Sequence, residues 1–219
     1  MNTIDRIFGN LENWRKSLGE KEPSVTTVAE QYTRNPWAVL ASTIVSLRTK
    51  DEVTLKVSKV LLETAPTPAF LRNLEEKEIV RLIYPAGFYR TKAANLKKIA
   101  AILIEQYGGL VPSDMDALLA LPGVGRKTAN LVLIEAFGRD GICVDTHVHR
   151  IANRIGWVSA ASPEQTEFAL REILPLKYWK GLNSLFVLYG QRICGPISPF
   201  CSKCVIASFC PRRGVKKNR

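Results

Sequence analysis

The stretch LPGVGRKTAN, Leu121 to Asn130, places a proline and two glycines in a tight turn just ahead of a helix-forming segment. Glycine tolerates a positive φ and lets a second backbone come close, so Gly123 and Gly125 favour a hairpin between two helices. The sequence predicts a short helix over residues 114–120 and a longer one over 126–137, with Leu121 and Val124 anchoring one to the other.

Helix signals dominate the rest of the chain. Asn35 followed by Pro36 is typical of a cap and first helical position, and opens an apolar helix. The segment GICVDTHV (residues 141–148) is the best strand candidate, but it lacks a partner with similar alternation, so we interpret it as a loop leading into a helix. The fold class is therefore all-α, with about ten helices.

Several polar residues are predicted to begin helices. Thr91 is expected to cap the helix that ends at Gly108-Gly109, and Ser113 with Asp116 forms a capping-box variant. Ser162, followed by a proline and then Gln165, is a fuller capping box.

The bulk composition limits partners and location. The chain of 219 residues carries a formal net charge of +11, so the expected partner is a polyanion, most commonly a nucleic acid. Neither a membrane span nor a signal peptide is evident, which predicts a cytosolic protein, or a nuclear one in a eukaryote. The protein is expected to be a monomer.

The hairpin itself predicts an anion site. The amides of Gly123, Gly125 and the following turn would point outward together at a helix N-terminus, beside the basic residue Arg126. A plain connector between helices also uses glycine and proline. The spacing and the charge favour the DNA interpretation, because this pattern resembles the helix-hairpin-helix motif of proteins that bind DNA without sequence specificity.

Four of the five cysteines lie in one short segment. Their C-x6-C-x2-C-x5-C spacing indicates a metal centre formed by Cys194, Cys201, Cys204 and Cys210. Spacing leaves zinc open as an alternative to an iron–sulfur cluster, although only one short knuckle of the kind that structural zinc uses is present. Cys143 stands apart between two apolar residues, which indicates a small buried side chain.

The hairpin with Lys127, the VDTHVHR segment with Asp145, and the cysteine loop stand in one order. Together they closely resemble the endonuclease III family of DNA base-excision repair glycosylases, over roughly residues 29–210. The resemblance implies two helical domains flanking a DNA-binding cleft. A six-helix domain would span 29–139, and residues 1–28 would join 140–219 around a 4Fe-4S cluster held by the four cysteines.

The same resemblance implies the chemistry. The substrate would be double-stranded DNA with a damaged base or abasic site, and Lys127 would be the nucleophile that attacks the sugar of a flipped-out oxidised pyrimidine. Asp145 would stabilise the positive charge that develops on the sugar, and β-elimination would nick the strand. Two simpler roles stay open: Lys127 as a phosphate contact and Asp145 as a helix cap.

Further residues are expected at the DNA, beside the hairpin residues Leu121, Gly123, Val124, Gly125 and Arg126. Family members often carry glutamine where this chain has Arg48, which can still stack on or hydrogen-bond with the unpaired base. Phe88 occupies the apolar wedge position, with core packing as the alternative. His147 matches a position near DNA, with an ordinary hydrogen-bonded role as the alternative, and His149 has no predicted role.

Three rival interpretations follow from the same motifs. A monofunctional mismatch glycosylase is disfavoured by Lys127 and by the short chain. A non-catalytic DNA-binding iron–sulfur protein that senses redox state leaves Lys127 and Asp145 unexplained. A zinc-stabilised DNA-binding protein would be colourless, whereas an iron–sulfur protein would be brown.

Overall fold

The computed structural model describes residues 2–19 and 23–219. Within these ranges the secondary structure is helical and no β-strand occurs, which confirms the all-α fold class. Among the same residues, no helix is long and apolar enough to cross a membrane. The segment at 141–145 is an extended loop that enters a helix, as expected.

The α-helices are, in chain order, α1 (Thr3–Leu18), α2 (Ser24–Gln31), α3 (Pro36–Ser46), α4 (Asp51–Thr64), α5 (Pro68–Asn73), α6 (Glu76–Ile83), α7 (Tyr89–Tyr107), α8 (Met115–Leu119), α9 (Arg126–Phe137), α10 (Thr146–Arg154), α11 (Pro163–Ile173) and α12 (Trp179–Arg192). Short 3₁₀ turns span Leu176–Tyr178, Cys201–Lys203 and Ala207–Phe209.

The chain divides into two compact units, of which one is Glu22–Gly141. Its central element is α3, whose side chains from Trp37 to Val45 are all buried. A helix that is apolar all round must be covered on every side, and α2, α4, α7 and α9 pack against it. Helix α8 packs on α9 to form the hairpin.

The other unit comprises Met1–Lys21 and Ile142–Arg219. Helix α12 packs against α1 and α10, and α11 packs on α10. Aromatic rings form part of its core: Phe8 stacks on Tyr178 with ring centroids 3.8 Å apart and on Phe186 at 6.4 Å. The segment from Cys194 onward contains no α-helix, only two 3₁₀ turns.

The unit boundaries differ from the expected ones at residues 28 and 139. Helix α2 belongs with the Glu22–Gly141 unit because it packs on α3 and α4, and that unit contains eight helices, two more than expected. Part of the predicted segment 1–28, namely residues 1 and 20–22, lies outside the described residues.

Two predicted helix starts are wrong. Helix α7 begins at Tyr89, because Phe88 adopts a left-handed conformation (φ 56°) that turns the chain into the helix before Thr91 is reached. Helix α8 is capped by Asp114, whose carboxylate accepts a hydrogen bond from the Ala117 amide at 3.0 Å. The predicted caps at Asn35 and Ser162 are confirmed by bonds to the Ala38 and Gln165 amides.

Candidate functional site

The hairpin between α8 and α9 has the geometry that its sequence predicts. Gly123 adopts φ +77°, and an added Cβ would collide with the side chain of Asn95 on α7. Leu121 and Val124 are buried, so they anchor the turn and can offer a ligand only their backbone. The buried side chains of Leu121 and Val124 therefore fix the turn, while Gly123 and Gly125 remain exposed.

The N-terminus of α9 follows this turn directly. Its cap residue, Gly125, supplies no side-chain hydrogen bond to the first amides of the helix. Arg126 and Lys127 are its first two residues and are half-buried. The backbone amides at the positive end of a helix dipole favour an anion. A backbone phosphate bound here would lie within the first turn that carries Lys127.

Asp145 is the N-cap of α10. Its Oδ1 accepts hydrogen bonds from the amides of His147 (2.8 Å) and Val148 (2.9 Å). The structural alternative for this residue is therefore confirmed. Both bonds end on Oδ1, so the cap fixes the carboxylate while Oδ2 takes no part in it. The catalytic role of Asp145 stays a prediction that this geometry permits.

His147 is half-buried and its ring is oriented by Arg150. Arg150 Nη2 lies 3.0 Å from His147 Nδ1 and 3.1 Å from the carbonyl of Gly190. A guanidinium can only donate, so Nδ1 is the acceptor and a neutral His147 carries its proton on Nε2. The Nδ1 atom of the second histidine, His149, lies 2.7 Å from the Thr166 hydroxyl oxygen, a hydrogen bond that connects α10 to α11.

Arg48 and Phe88 lie together on the surface of the Glu22–Gly141 unit. The guanidinium carbon of Arg48 is 5.4 Å from the centre of the Phe88 ring. Phe88 is 63% exposed, which rejects the core-packing alternative. Both residues adopt positive φ values, 53° and 56°, a conformation that non-glycine residues rarely take. We call these two residues the wedge pair.

The four clustered cysteines are all free thiols and lie in the unit that contains α12. Cys194 follows α12, Cys201 begins a 3₁₀ turn, and Cys204 and Cys210 each follow such a turn. Within the described ranges, no three His, Cys, Asp or Glu side chains are grouped as ligands of a single metal ion.

Hydrogen-bond donors surround three of the sulfur atoms. Arg154 Nη1 lies 3.3 Å from Cys194 Sγ, the Tyr189 hydroxyl 3.1 Å from Cys204 Sγ, and the Arg212 amide 3.4 Å from Cys210 Sγ. Burial raises the pKa of the Cys210 thiol above its usual value, the hydrogen bond from the Arg212 amide acts in the opposite direction, and negative charge on the neighbouring cysteine sulfurs raises it. Donors aimed at sulfur suit thiolates that bind a positively charged group, so this donor set fits an iron–sulfur cluster.

Sequence reasoning missed Arg154, which organises the cysteine loop. This residue is 9% exposed, and its guanidinium donates to the carbonyls of Gly195 (2.6 Å) and Pro196 (2.8 Å). An arginine within an amphipathic helix usually lies in solvent, so only its place among the apolar neighbours Ile151 and Ile155 could have indicated burial.

The basic C-terminal segment folds onto the cysteine loop. The Arg219 amide donates to the Pro199 carbonyl at 2.8 Å, and the Ser202 amide donates to the Arg219 carbonyl at 2.9 Å. The Arg219 guanidinium lies 3.8 Å from the centre of the Phe200 ring. These contacts join the C-terminal residue to the cysteine loop.

Comparison with known proteins gives concordant matches. Residues 41–176 match the family model described as HhH-GPD superfamily base excision DNA repair protein. Endonuclease III of Thermotoga maritima is 45% identical over 195 residues, covering 85% of this chain and 92% of the relative.

Two solved structures extend the match to three dimensions. A non-covalent endonuclease III–DNA complex superposes with a TM-score of 0.83 at 34% identity, covering 97% of each chain. A trapped endonuclease III–DNA covalent intermediate gives 0.77 at 35% identity, covering 86% of this chain and 93% of the other.

Proposed function

Because the chain belongs to the HhH-GPD superfamily of base excision DNA repair proteins, and within it to the endonuclease III family of DNA N-glycosylase/AP lyases, we propose that Lys127 is its catalytic nucleophile. The observation that carries this assignment is the position of Lys127 in the first turn of α9, directly after the glycine hairpin. A phosphate held by the hairpin amides would place the neighbouring sugar within reach of that turn.

Duplex DNA is the partner that the remaining features support. The net charge of +11 favours a polyanion. Arg126 adds a cation beside the hairpin, and the exposed glycines allow close approach of a phosphate. The solved relatives are described as DNA complexes, one of them a trapped covalent intermediate. A lysine amine that bonds to sugar would give an intermediate of that kind here.

The proposed reaction begins with a damaged base rotated out of the duplex. The neutral amine of Lys127 bonds to C1′ while the bond from C1′ to the base breaks, and the base leaves with the electron pair and takes up a proton. Positive charge develops on the sugar in this step, and the carboxylate of Asp145 stabilises it. Asp145 also helps to accept the proton that the attacking nitrogen loses.

Strand cleavage follows from the same covalent bond. The C1′–O4′ bond then breaks as the nitrogen lone pair forms a C=N bond to C1′, and O4′ takes up a proton. The resulting protonated Schiff base on Lys127 makes the C2′ protons acidic. Transfer of one C2′ proton to water expels the 3′ phosphate with the electron pair of its C3′–O bond. Water then hydrolyses the Schiff base and releases Lys127. The products are a free base and a nicked strand, and oxidised pyrimidines are the proposed substrates.

The wedge pair would fill the gap that the rotated base leaves. Phe88 offers an exposed ring that can enter between bases, and Arg48 offers donors to the unpaired base opposite. His147 would contact the DNA with its ring oriented by Arg150. The buried side chains of Leu121 and Val124 would act only by shaping the hairpin.

A 4Fe-4S cluster is the proposed cofactor, with Cys194, Cys201, Cys204 and Cys210 as its ligands. When bound, this group supplies a rigid, multiply bonded centre to a loop that has little regular structure of its own. The residues of this chain would hold the thiolates by donation from Arg154, Tyr189 and the Arg212 amide. The proposal predicts a brown protein with about four irons per chain.

We also propose that the protein acts as a monomer. It would work where DNA is found, in the cytoplasm on the nucleoid, or in the nucleus of a eukaryote.

A strand-cleavage assay tests the proposed function. A duplex that carries one oxidised pyrimidine is mixed with wild-type protein, Lys127→Ala or Lys180→Ala, and the free base and the nicked strand are measured separately. Lys180 is the matched control because it also occupies the second position of a helix, α12. We expect wild type and Lys180→Ala to release base and nick the strand, and Lys127→Ala to do neither at a measurable rate. Unchanged nicking by Lys127→Ala would contradict the proposal.

A further inference from the structure

Lys92 is a buried lysine for which the proposed reaction gives no role. It lies in the first turns of α7 and is 5% exposed. Its Nζ donates to the carbonyls of Val45 (2.6 Å) and Leu47 (2.5 Å) and to the Thr49 hydroxyl (2.8 Å). An ammonium has three donors, and here all three are used on neutral oxygens. Burying a charge in this way is costly, so the site needs an explanation.

The three acceptors lie at one structural feature, the exit of the chain from α3. Val45 is in the last turn of α3, Leu47 is its C-cap, and Thr49 lies in the loop to α4. The last carbonyls of a helix have no partner within the helix, and the negative end of the helix dipole attracts a cation. Lys92 therefore fixes the path of the loop, residues 47–50, that contains Arg48.

The same network reaches the loop that carries Phe88. The Thr49 hydroxyl that accepts from Lys92 also accepts from the Gly87 amide at 3.1 Å. A Cβ on Gly87 would overlap the carbonyl oxygen of Arg48, so the two loops are in direct backbone contact. Lys92, Thr49 and Gly87 therefore form a continuous link beneath the two exposed residues of the wedge pair.

Helix α7 also connects this link to the hairpin. Asn95, one turn after Lys92, lies against Gly123, where an added Cβ would strike its side chain. Residues three apart share one face of a helix. A single rigid helix thus supports the hairpin at Asn95 and the wedge pair at Lys92.

We infer that Lys92 is a positioning residue that holds Arg48 and Phe88 together as one rigid unit, and thereby sets how strongly the protein discriminates among the bases opposite a damaged site. The inference rests on the proposed role of the wedge pair in DNA binding. Without the three hydrogen bonds, the left-handed backbone at Arg48 and Phe88 would relax. The two side chains would then meet the unpaired base in several arrangements, and the differences among opposite bases would shrink.

The test measures affinity for duplexes that carry a tetrahydrofuran abasic analogue opposite each of the four bases. The analogue has no C1′ hydroxyl and forms no Schiff base, so the result is independent of Lys127. The variants are Lys92→Met, which keeps the side-chain length, and Thr49→Val, which removes the shared hydroxyl. Lys97→Met is the matched control, since Lys97 on the same helix also donates to a loop carbonyl, that of Leu74 at 2.7 Å.

We expect the ratio between the tightest and weakest opposite base to fall at least about threefold in Lys92→Met and in Thr49→Val, and to stay at the wild-type value in Lys97→Met. Arg48→Ala should reproduce the loss. If Lys92→Met does not fold, Thr49→Val alone decides the outcome. Wild-type ratios in the two test variants, an equal loss in Lys97→Met, or a wild-type protein that does not discriminate would each overturn the inference. Failure of the proposed catalytic role would instead appear in the cleavage assay, with the binding ratios unaffected.

Discussion

The glycine hairpin and the cysteine loop are both irregular segments, but they are ordered by different forces. The hairpin is held by the buried side chains of Leu121 and Val124 and by close packing of Gly123 against α7. The cysteine loop is held by polar contacts from Arg154, by the C-terminal segment, and by four thiols for which a metal cluster is proposed. A segment held by apolar packing stays folded without a ligand, whereas a segment held by a ligand loses its order when the ligand is removed.

The largest expected effect is that of Cys201→Ser. Loss of one thiolate ligand should remove the cluster. Because cluster binding supplies folding free energy to the loop, the loop should then lose its order. We expect a colourless protein in which backbone amides of residues 193–210 exchange with deuterium rapidly, while amides of α3 and α9 stay protected. Hydrogen exchange with iron analysis measures both. A soluble, brown variant with wild-type protection would contradict the account, as would a colourless one whose loop stays protected.

Arg154→Met should have the next largest effect, again in the cysteine loop. The substitution leaves the carbonyls of Gly195 and Pro196 without their donor and should cost about 2–4 kcal/mol of unfolding free energy. Urea unfolding of the iron-loaded protein measures this. Lys203→Met is the control in the same loop, because Lys203 is exposed, and a cost below about 0.5 kcal/mol is expected there. Equal costs in the two variants would refute the role of Arg154.

Gly123→Ala tests the hairpin side of the comparison. The left-handed φ of +77° and the collision with Asn95 should cost about 1–3 kcal/mol, without loss of iron. Gly125→Ala is the matched control, since its φ is −103° and no atom lies within 4 Å of an added Cβ. We expect only the smaller cost of replacing a glycine N-cap by alanine, about 0.5–1 kcal/mol. Loss of iron from Gly123→Ala would contradict the comparison, because it would show that the order of the cysteine loop depends on the glycine hairpin.

A pH dependence provides the smallest and finest test. Burial lowers the pKa of Lys92 to about 8 from the ordinary 10.5. The folded state therefore releases a proton that the unfolded chain retains, and stability rises with pH between these values. Relative to Lys92→Met, the unfolding free energy of the wild type should increase by about 1–2 kcal/mol from about pH 7.5 to 9.5. Urea unfolding at the two pH values measures it, and a constant difference would refute the lowered pKa.

The sequence predicted features whose residues dictate a local geometry. Two glycines and a proline restrict the hairpin to few backbone conformations. Asn35 followed by Pro36 is a strong signal for the first residue of α3. The spacing of the four cysteines predicted a metal-binding segment, and the structure places them in one loop with donors near three of the sulfur atoms. The enzyme class expected from the three motifs in order is confirmed by the family match.

The sequence did not predict features that depend on tertiary packing. Lys92 and Arg154 look like solvated charges on amphipathic helices, and only the folded chain shows them buried against carbonyl oxygens. The start of α7 was misplaced because nothing local requires the left-handed backbone of Phe88. That conformation is imposed by contact between the Gly87 backbone and the loop of Arg48, which are distant in the chain.

The measurement that tests the central claim most directly is borohydride trapping with peptide mapping. Iron-loaded wild-type protein is mixed with a duplex that carries one oxidised pyrimidine, borohydride reduces any Schiff base, and mass spectrometry locates the modified lysine. The account predicts one adduct, on Lys127, and none with Lys127→Ala. An adduct on another lysine, or base release without any adduct, would contradict the assignment of Lys127 as the nucleophile.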